Sequence, residues 1–566
     1  MVQADDCLWI ANRQTGSISI VDLASGNVQN EIVVSERLDD LITIPDTRAL
    51  IAVDSESHQL LVLERSLESN GVSGLRTLST QPVAKYPVSL AVSPNGELLT
   101  CASKWSRRLT IIESKLLLSG NASQKIVDLP FVPLRQCFLD NRFVLIADAH
   151  GGELAIVNAV NGELRSRQKL IGHNIRGLSL SKAGSESADR VTEPGIIISH
   201  QILNVASSTT RSTISWGGVI SNTLHAIPVR ELFRSSSTQN AESIHGSLFP
   251  LGHEGQGTGD PSGIALGRHG QAYVALRGMS EVAMRPLRSR TLTRVPVGRG
   301  PTQLILDEDR DRLFVLSQFD DSISELNATS MSLVRTIRLG KNPPPDNIVR
   351  TGEELFFDSR LSLDGWFSCH SCHSDGHTTG QLNDNFGDES FGTPKQILSL
   401  LGTGHTKPWA WNGNLVDLHE QIRKSIEFTM AGPGKHSPEI GDREIKSLEA
   451  YLSSLPAAPG ILSARDETGR PSVARGELVF KSHGCDGCHQ PPIWSSALSF
   501  DVGLKDEAGN DHFNPPSLRG VSQRGPYFHD NRAARLIDVL IEHDHASAAS
   551  LSESDIADLL DFLKSL

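Results

Sequence analysis

The sequence has no run of 18 apolar residues, which excludes a membrane-spanning helix of ordinary length. It has no basic run or Arg-rich stretch either: 53 Lys and Arg are outnumbered by 66 Asp and Glu, for a net charge of −13. That balance argues against nucleic acid, whose phosphates would demand a positive face. It suits a positively charged electron-transfer partner, although surface acidity also serves solubility. Methionine is scarce, with five residues and none after Met430. No export signal is visible, because Met1-Val2-Gln3-Ala4-Asp5-Asp6 leads straight into a strand-like segment. Cysteine is sparse as well, at seven. Three of these, Cys7, Cys101 and Cys137, are scattered through strand-like stretches and read as free core thiols, with one disulfide as the alternative.

The other four are not scattered. They form Cys369-His370-Ser371-Cys372-His373 and Cys485-Asp486-Gly487-Cys488-His489, two C-x-x-C-H runs. Thiols one helical turn apart can add to the two vinyl groups of a haem, and the histidine that follows is then held beneath the iron. The alternative is a structural zinc site. Zinc ribbons place their pairs about 15–20 residues apart; these lie much farther apart, and each ends in its own histidine. The expectation is two covalently bound haem c groups, attached through Cys369 and Cys372 and through Cys485 and Cys488, with His373 and His489 as iron ligands. Covalent haem implies a periplasmic or other extracytoplasmic location, despite the export signal missing from this chain.

The first 340 residues repeat. WIANRQTGSISIVDLASGNVQNEIVV at 9–34 reads as alternating strands joined by polar turns, and the pattern recurs from 49, 86, 141, 261 and 301. A period of about 40–50 residues with short strands is the signature of propeller blades. With a diverged unit near 175–205 the count is seven, the first copy lacking its innermost strand. Residues 207–257, rich in Ser and Thr and containing Trp216-Gly217-Gly218, break the rhythm and read as an insertion inside one blade. The repeats resemble the YVTN family of bacterial β-propellers. No catalytic triad, metal cluster or phosphate loop stands out there, and its histidines, among them His150, His173, His200 and His225, default to surface or loop roles.

After the stiff junction Lys341-Asn342-Pro343-Pro344-Pro345, helical periodicity replaces strand alternation. Two similar modules follow, at 341–460 and 461–566. Each opens with a helix ending in a paired apolar signature, GEELFFDSRLS at 352–362 and RGELVFKSHG at 475–484, carries one haem motif, and closes with an amphipathic helix. Ile445, Leu448, Leu452 and Leu455 share a face in the first closing helix, and Ile556, Leu559, Leu560 and Leu563 in the second. The fold class is therefore multidomain: an all-β seven-bladed propeller over 1–340, then two all-α cytochrome c-type modules.

FFDSRLSLDGWFSCHSCH at 356–373, PWAWNGNLVDLHEQ at 408–421 and PPSLRGVSQRGPYFHDNRAARL at 515–536 resemble the bacterial di-haem cytochrome c peroxidases and their MauG-like relatives. The resemblance covers about 341–566. It implies that one haem gathers electrons while the other, usually the N-terminal one, meets peroxide. It assigns Trp411 to the position between the haems, with a plain core role for Trp409 and Trp411 as the alternative. It makes Gln421 a pocket residue and His529, beside Tyr527, a partner of the haem propionates. It further implies hydrogen peroxide as substrate and a small redox protein, a cytochrome c or cupredoxin, as donor, with a Ca2+ ion between the modules as an additional expectation.

Departures from the family pattern shape the rest. With no methionine after Met430, a methionine ligand to the second iron is impossible, and His545, or failing that His543, takes the position. The family's acidic residue is replaced at Thr429-Met430, leaving Glu427 as a substitute. A removable distal histidine has no counterpart, since position 384 is Asp384; His377 and His405 are nearby alternatives or polar loop residues. Two functions follow: a peroxidase that draws electrons from a redox protein or from a protein side chain, or a non-enzymatic electron-transfer protein whose propeller docks a partner.

Overall fold

The computed structural model describes residues 1–566 apart from 68–72, 121–122, 182–193, 235–240, 288, 290, 341–346, 387–390, 433 and 435–436. The expected Pro-rich junction at 341–345 therefore lies outside the described residues. The chain divides into two compact units. The first comprises Met1–Gln201, Asn222–Leu251 and Pro261–Pro344, and the second Ile202–Ser221, Gly252–Asp260 and Pro345–Leu566.

The first unit is a seven-bladed propeller. Its antiparallel sheets span 2–33, 38–82, 87–128, 133–169, 173–250, 261–296 and 301–338. Middle strands such as Cys7–Asn12 and Ala49–Asp54 are buried on both faces, because alternate side chains enter the seams to the two neighbouring sheets. Cys7 and Trp9 pack with Leu50 and Leu61 of the second sheet, whereas Leu8 and Ile10 pack with Phe314 and Ile323 of the seventh. That last seam closes the ring. The Met1 amino group donates to Gln303 Oε1 at 2.7 Å, and Arg312 donates to the Leu23 carbonyl at 2.8 Å.

Three expectations change here. The first sheet does have an innermost strand, Val2–Ala4, paired in register with Cys7–Trp9. The stretch 207–257 is not one insertion. Ile220–Pro228 and Ser247–Pro250 are strands of the fifth sheet, and Glu242–Ser243 adds a short parallel strand to the fourth. Two excursions remain, around 204–219 and 252–260, and both belong to the second unit. Finally, His150, His173, His200 and His225 are buried rather than on the surface. His200 and His225 approach to 5.6 Å between ring centroids, and burial pulls them down to about 3 and about 4, so both stay neutral.

In the second unit, Ile445, Leu448 and Leu452 are buried on the first closing helix and Ile556, Leu559, Leu560 and Leu563 on the second, whereas Leu455, expected on the first face, lies past the helix end in extended backbone. Asn347 caps Ile348–Phe356 by accepting from the Val349 and Arg350 amides, and Ser552 caps Glu553–Ser565 by accepting from the Asp555 amide. Ile348–Phe356 pairs with Asp442–Ser454, and Pro471–Ser482 with Glu553–Ser565. Glycine makes both crossings possible. A methyl group at Gly352 would lie 1.8 Å from the Ser447 carbonyl oxygen, and one at Gly476 would lie 2.0 Å from that of Asp558.

Candidate functional site

The first C-x-x-C-H run is one turn of helix, Cys369–Cys372, and the amide of its cap residue Ser368 donates to Ser371 Oγ at 3.0 Å. Cys369, Cys372 and His373 line one cavity of about 340 Å³, walled opposite by Leu448 and Leu452 of the closing helix. His373 Nδ1 is 2.8 Å from the Leu398 carbonyl. That bond fixes the tautomer and leaves Nε2 for a metal. Burial holds His373 down at about 4, so the ring is the neutral form a metal requires.

The second run repeats the arrangement. His489 Nδ1 faces the Trp494 carbonyl at 3.3 Å, and burial together with the neighbouring His545 pulls it to about 4. The His489 and His545 rings lie 6.4 Å apart, centroid to centroid. Two imidazoles bound to one metal at about 2 Å each, with their ring radii added, have centroids about 6 Å apart. His543 is committed elsewhere, its Nε2 lying 3.2 Å from the Arg532 carbonyl.

Trp411 lines the first cavity and donates to the Gln396 carbonyl at 2.9 Å. The Gln396 amide in turn donates to the His529 carbonyl at 2.6 Å. His529 is buried, stacked on Phe513 at 4.6 Å, and its Nε2 has no partner among the described residues. Tyr527 donates to the Val521 carbonyl and packs in the core of the second module. Gln421 lines the cavity with Nε2 bonded to Ser425 Oγ and its buried Oε1 without a partner among the described residues. Arg524, which sequence reasoning passed over, also lines the cavity; burial lowers it to about 10, and among the described residues no carboxylate pairs with it. Unpartnered Gln421 and His529 atoms and an uncompensated guanidinium are what a bound, anionic macrocycle would satisfy. The residues fit haem c at both runs.

Two expected site residues do not reach the cavity. Glu427 is exposed on the π-helical turn Ser425–Thr429, which sends Ser425, Ile426, Thr429 and Met430 to the cavity wall instead. His377 is buried with both ring nitrogens engaged, Nδ1 to Ser399 Oγ at 2.8 Å and Nε2 to the Gln523 carbonyl at 3.1 Å. It ties the two modules together. His405 is exposed.

Residues 346–463 match the family model described as di-haem cytochrome c peroxidase. That match lies within the second unit and takes in the first C-x-x-C-H run. The chain is 25% identical over 284 residues to hydrazine synthase subunit gamma of Kuenenia stuttgartiensis, an alignment spanning 40% of this chain and 80% of that protein. It is 23% identical over 272 residues to cytochrome c551 peroxidase of Nitrosomonas europaea, spanning 40% and 81%. Against methylamine utilization protein MauG of Methylorubrum extorquens it is 25% identical over 285 residues, spanning 40% and 79%. Among the described residues, no group of three or more His, Cys, Asp or Glu is placed to hold a metal ion, and no helix is long and apolar enough to cross a membrane.

Proposed function

We propose that this protein reduces hydrogen peroxide, taking up two electrons and two protons to give two waters. The electrons come from a small redox protein, a cytochrome c or cupredoxin, or from an oxidisable protein side chain, outside the cytoplasm where haem c is attached. Haem c, when bound, supplies a redox-active iron at each motif. Cys369 and Cys372 tether the first haem and His373 ligates it, while Cys485, Cys488, His489 and His545 hold the second. Gln421 Oε1 is the free acceptor available to a peroxide O–H in the cavity, and Trp411 joins that cavity to the 526–529 segment through Gln396. His529 and Arg524 serve the propionates.

The observation that carries the reading is an asymmetry. His489 faces a second imidazole at 6.4 Å, whereas among the described residues the cavity of His373 is lined by no second histidine. One iron would be saturated and the other open. The relay alternative is favoured by one fact, the outward position of Glu427, so that among the described residues no carboxylate lines the cavity. Cyanide added to the oxidised protein decides between them. It should bind within seconds and perturb one haem, and stoichiometric peroxide added to the half-reduced protein should shift the same Soret component. Two low-spin haems indifferent to both reagents would establish the relay.

A further inference from the structure

The residues around the first haem motif are held by the two excursions, and one of these ends in a buried carboxylate. Asp260 follows Gly252–Gly259 and sits in the left-handed region at φ 55°, with 4% of its surface exposed. Its Oδ2 accepts from Ser359 Oγ at 3.1 Å and from Ser368 Oγ; its Oδ1 accepts from Ser371 Oγ at 2.6 Å. Ser368 and Ser371 immediately precede Cys369 and Cys372. The carboxylate therefore bonds both ends of the single helical turn that presents the two thiols.

Neighbouring contacts hold the approach to that turn. Trp366 Nε1 donates to the Ser215 carbonyl at 3.1 Å, and Ser215 Oγ donates to Asp364 Oδ2 at 2.7 Å. The Gly257 and Gly259 amides donate to the Asp364 and Gly365 carbonyls at 2.7 and 3.0 Å. The second motif has nothing comparable: Gly484 and Gly487 occupy the positions of Ser368 and Ser371, so it offers no hydroxyl to a carboxylate.

We infer that Asp260 is a positioning residue for the first haem, orienting its attachment turn through Ser368 and Ser371 and holding its reduction potential below the value the pocket would otherwise set. The inference rests on haem attachment at Cys369 and Cys372. A carboxylate accepting three hydroxyl hydrogen bonds is stabilised as the anion, and burial weakens the screening of its charge by water. A nearby fixed negative charge favours the more positive, oxidised iron.

The test is potentiometric titration of the full-length protein loaded with both haems, with the first haem's transition assigned by EPR of partly reduced samples. Asp260→Asn removes the charge and should raise that transition alone. Ser371→Ala removes a donor and no charge, leaving the anion less compensated, and should lower it. Mass measurement showing two haems in each variant separates this question from the attachment reading. If Asp260→Asn fails to mature, Ser371→Ala decides alone. Shifts of the same sign in both variants, equal shifts in both haems, or an unmoved first transition would overturn the assignment, because simple loosening of the turn has no reason to reverse sign between the two substitutions.

Discussion

Gly352→Ala is a change that helix propensity alone would call stabilising, by about 1 kcal/mol. The structure reverses the sign. The added methyl would stand 1.8 Å from the Ser447 carbonyl oxygen and 2.7 Å from Tyr451 Cβ, where ordinary contact begins at 3.4 Å. The obstacle is backbone of a packed helix, so Ile348–Phe356 and Asp442–Ser454 must separate by about 1.5 Å. Overpacking of this kind costs about 1–3 kcal/mol, and a backbone clash belongs at the upper end. Less the propensity gain, the net loss is about 2 kcal/mol, or about 30-fold in the folding constant. Leu448 and Leu452 ride on the displaced helix and wall the first cavity, so the first haem should register the shift too. Urea unfolding followed at the Soret band and by tryptophan fluorescence measures it, with Gly476→Ala as the parallel change in the second module. An unchanged or higher midpoint at constant slope for Gly352→Ala would refute the reasoning.

Two further outcomes are expected. His545→Ala should abolish the low-spin haem signal in EPR while His543→Ala leaves it, since His545 faces His489 across a distance that fits an iron and His543 is bonded to the Arg532 carbonyl; an intact spectrum for His545→Ala would remove the assignment. Glu427→Gln should leave peroxide turnover within about twofold, whereas Gln421→Leu should lower it by about tenfold or more, and equal losses in the two would return Glu427 to the site.

The propeller and the paired helices were legible because they are written in short-range patterns. Period-2 alternation marks strands such as Ser17–Asp22, and GEELFF and RGELVF mark the two opening helices without revealing why their glycines are needed. Val2–Ala4 was missed because three residues cannot display alternation. The strands at 220–228 and 247–250 were hidden by flanking Ser- and Thr-rich segments that dominate the local composition. Glu427 was misplaced because one π-helical turn rotates the face that ordinary helical spacing assigns. His377 looked available until its partners, Ser399 and Gln523, came from distant parts of the chain. Asp260 had no local signal at all; a lone aspartate before a proline acquires meaning only when Ser368 and Ser371 arrive.

The haem unit is assembled from three separate lengths of chain, and this couples its folding to that of the fifth blade. Ile202–Ser221 leaves and re-enters between adjacent strands of that sheet, and Gly252–Asp260 follows its last strand. The two ends of Ile202–Ser221 are thus already drawn together once the sheet has formed, which removes most of the loop-closure entropy of that excursion, whereas Gly252–Asp260 runs on into the sixth sheet at Pro261. A fragment starting at Pro345 would contain every cysteine and histidine of the haem motifs and still lack the carboxylate and the carbonyl that hold Ser371 and Trp366. Unfolding the fifth blade would release both ends of the first excursion and one end of the second, so damage to a sheet that carries no haem ligand should loosen the first haem before the second.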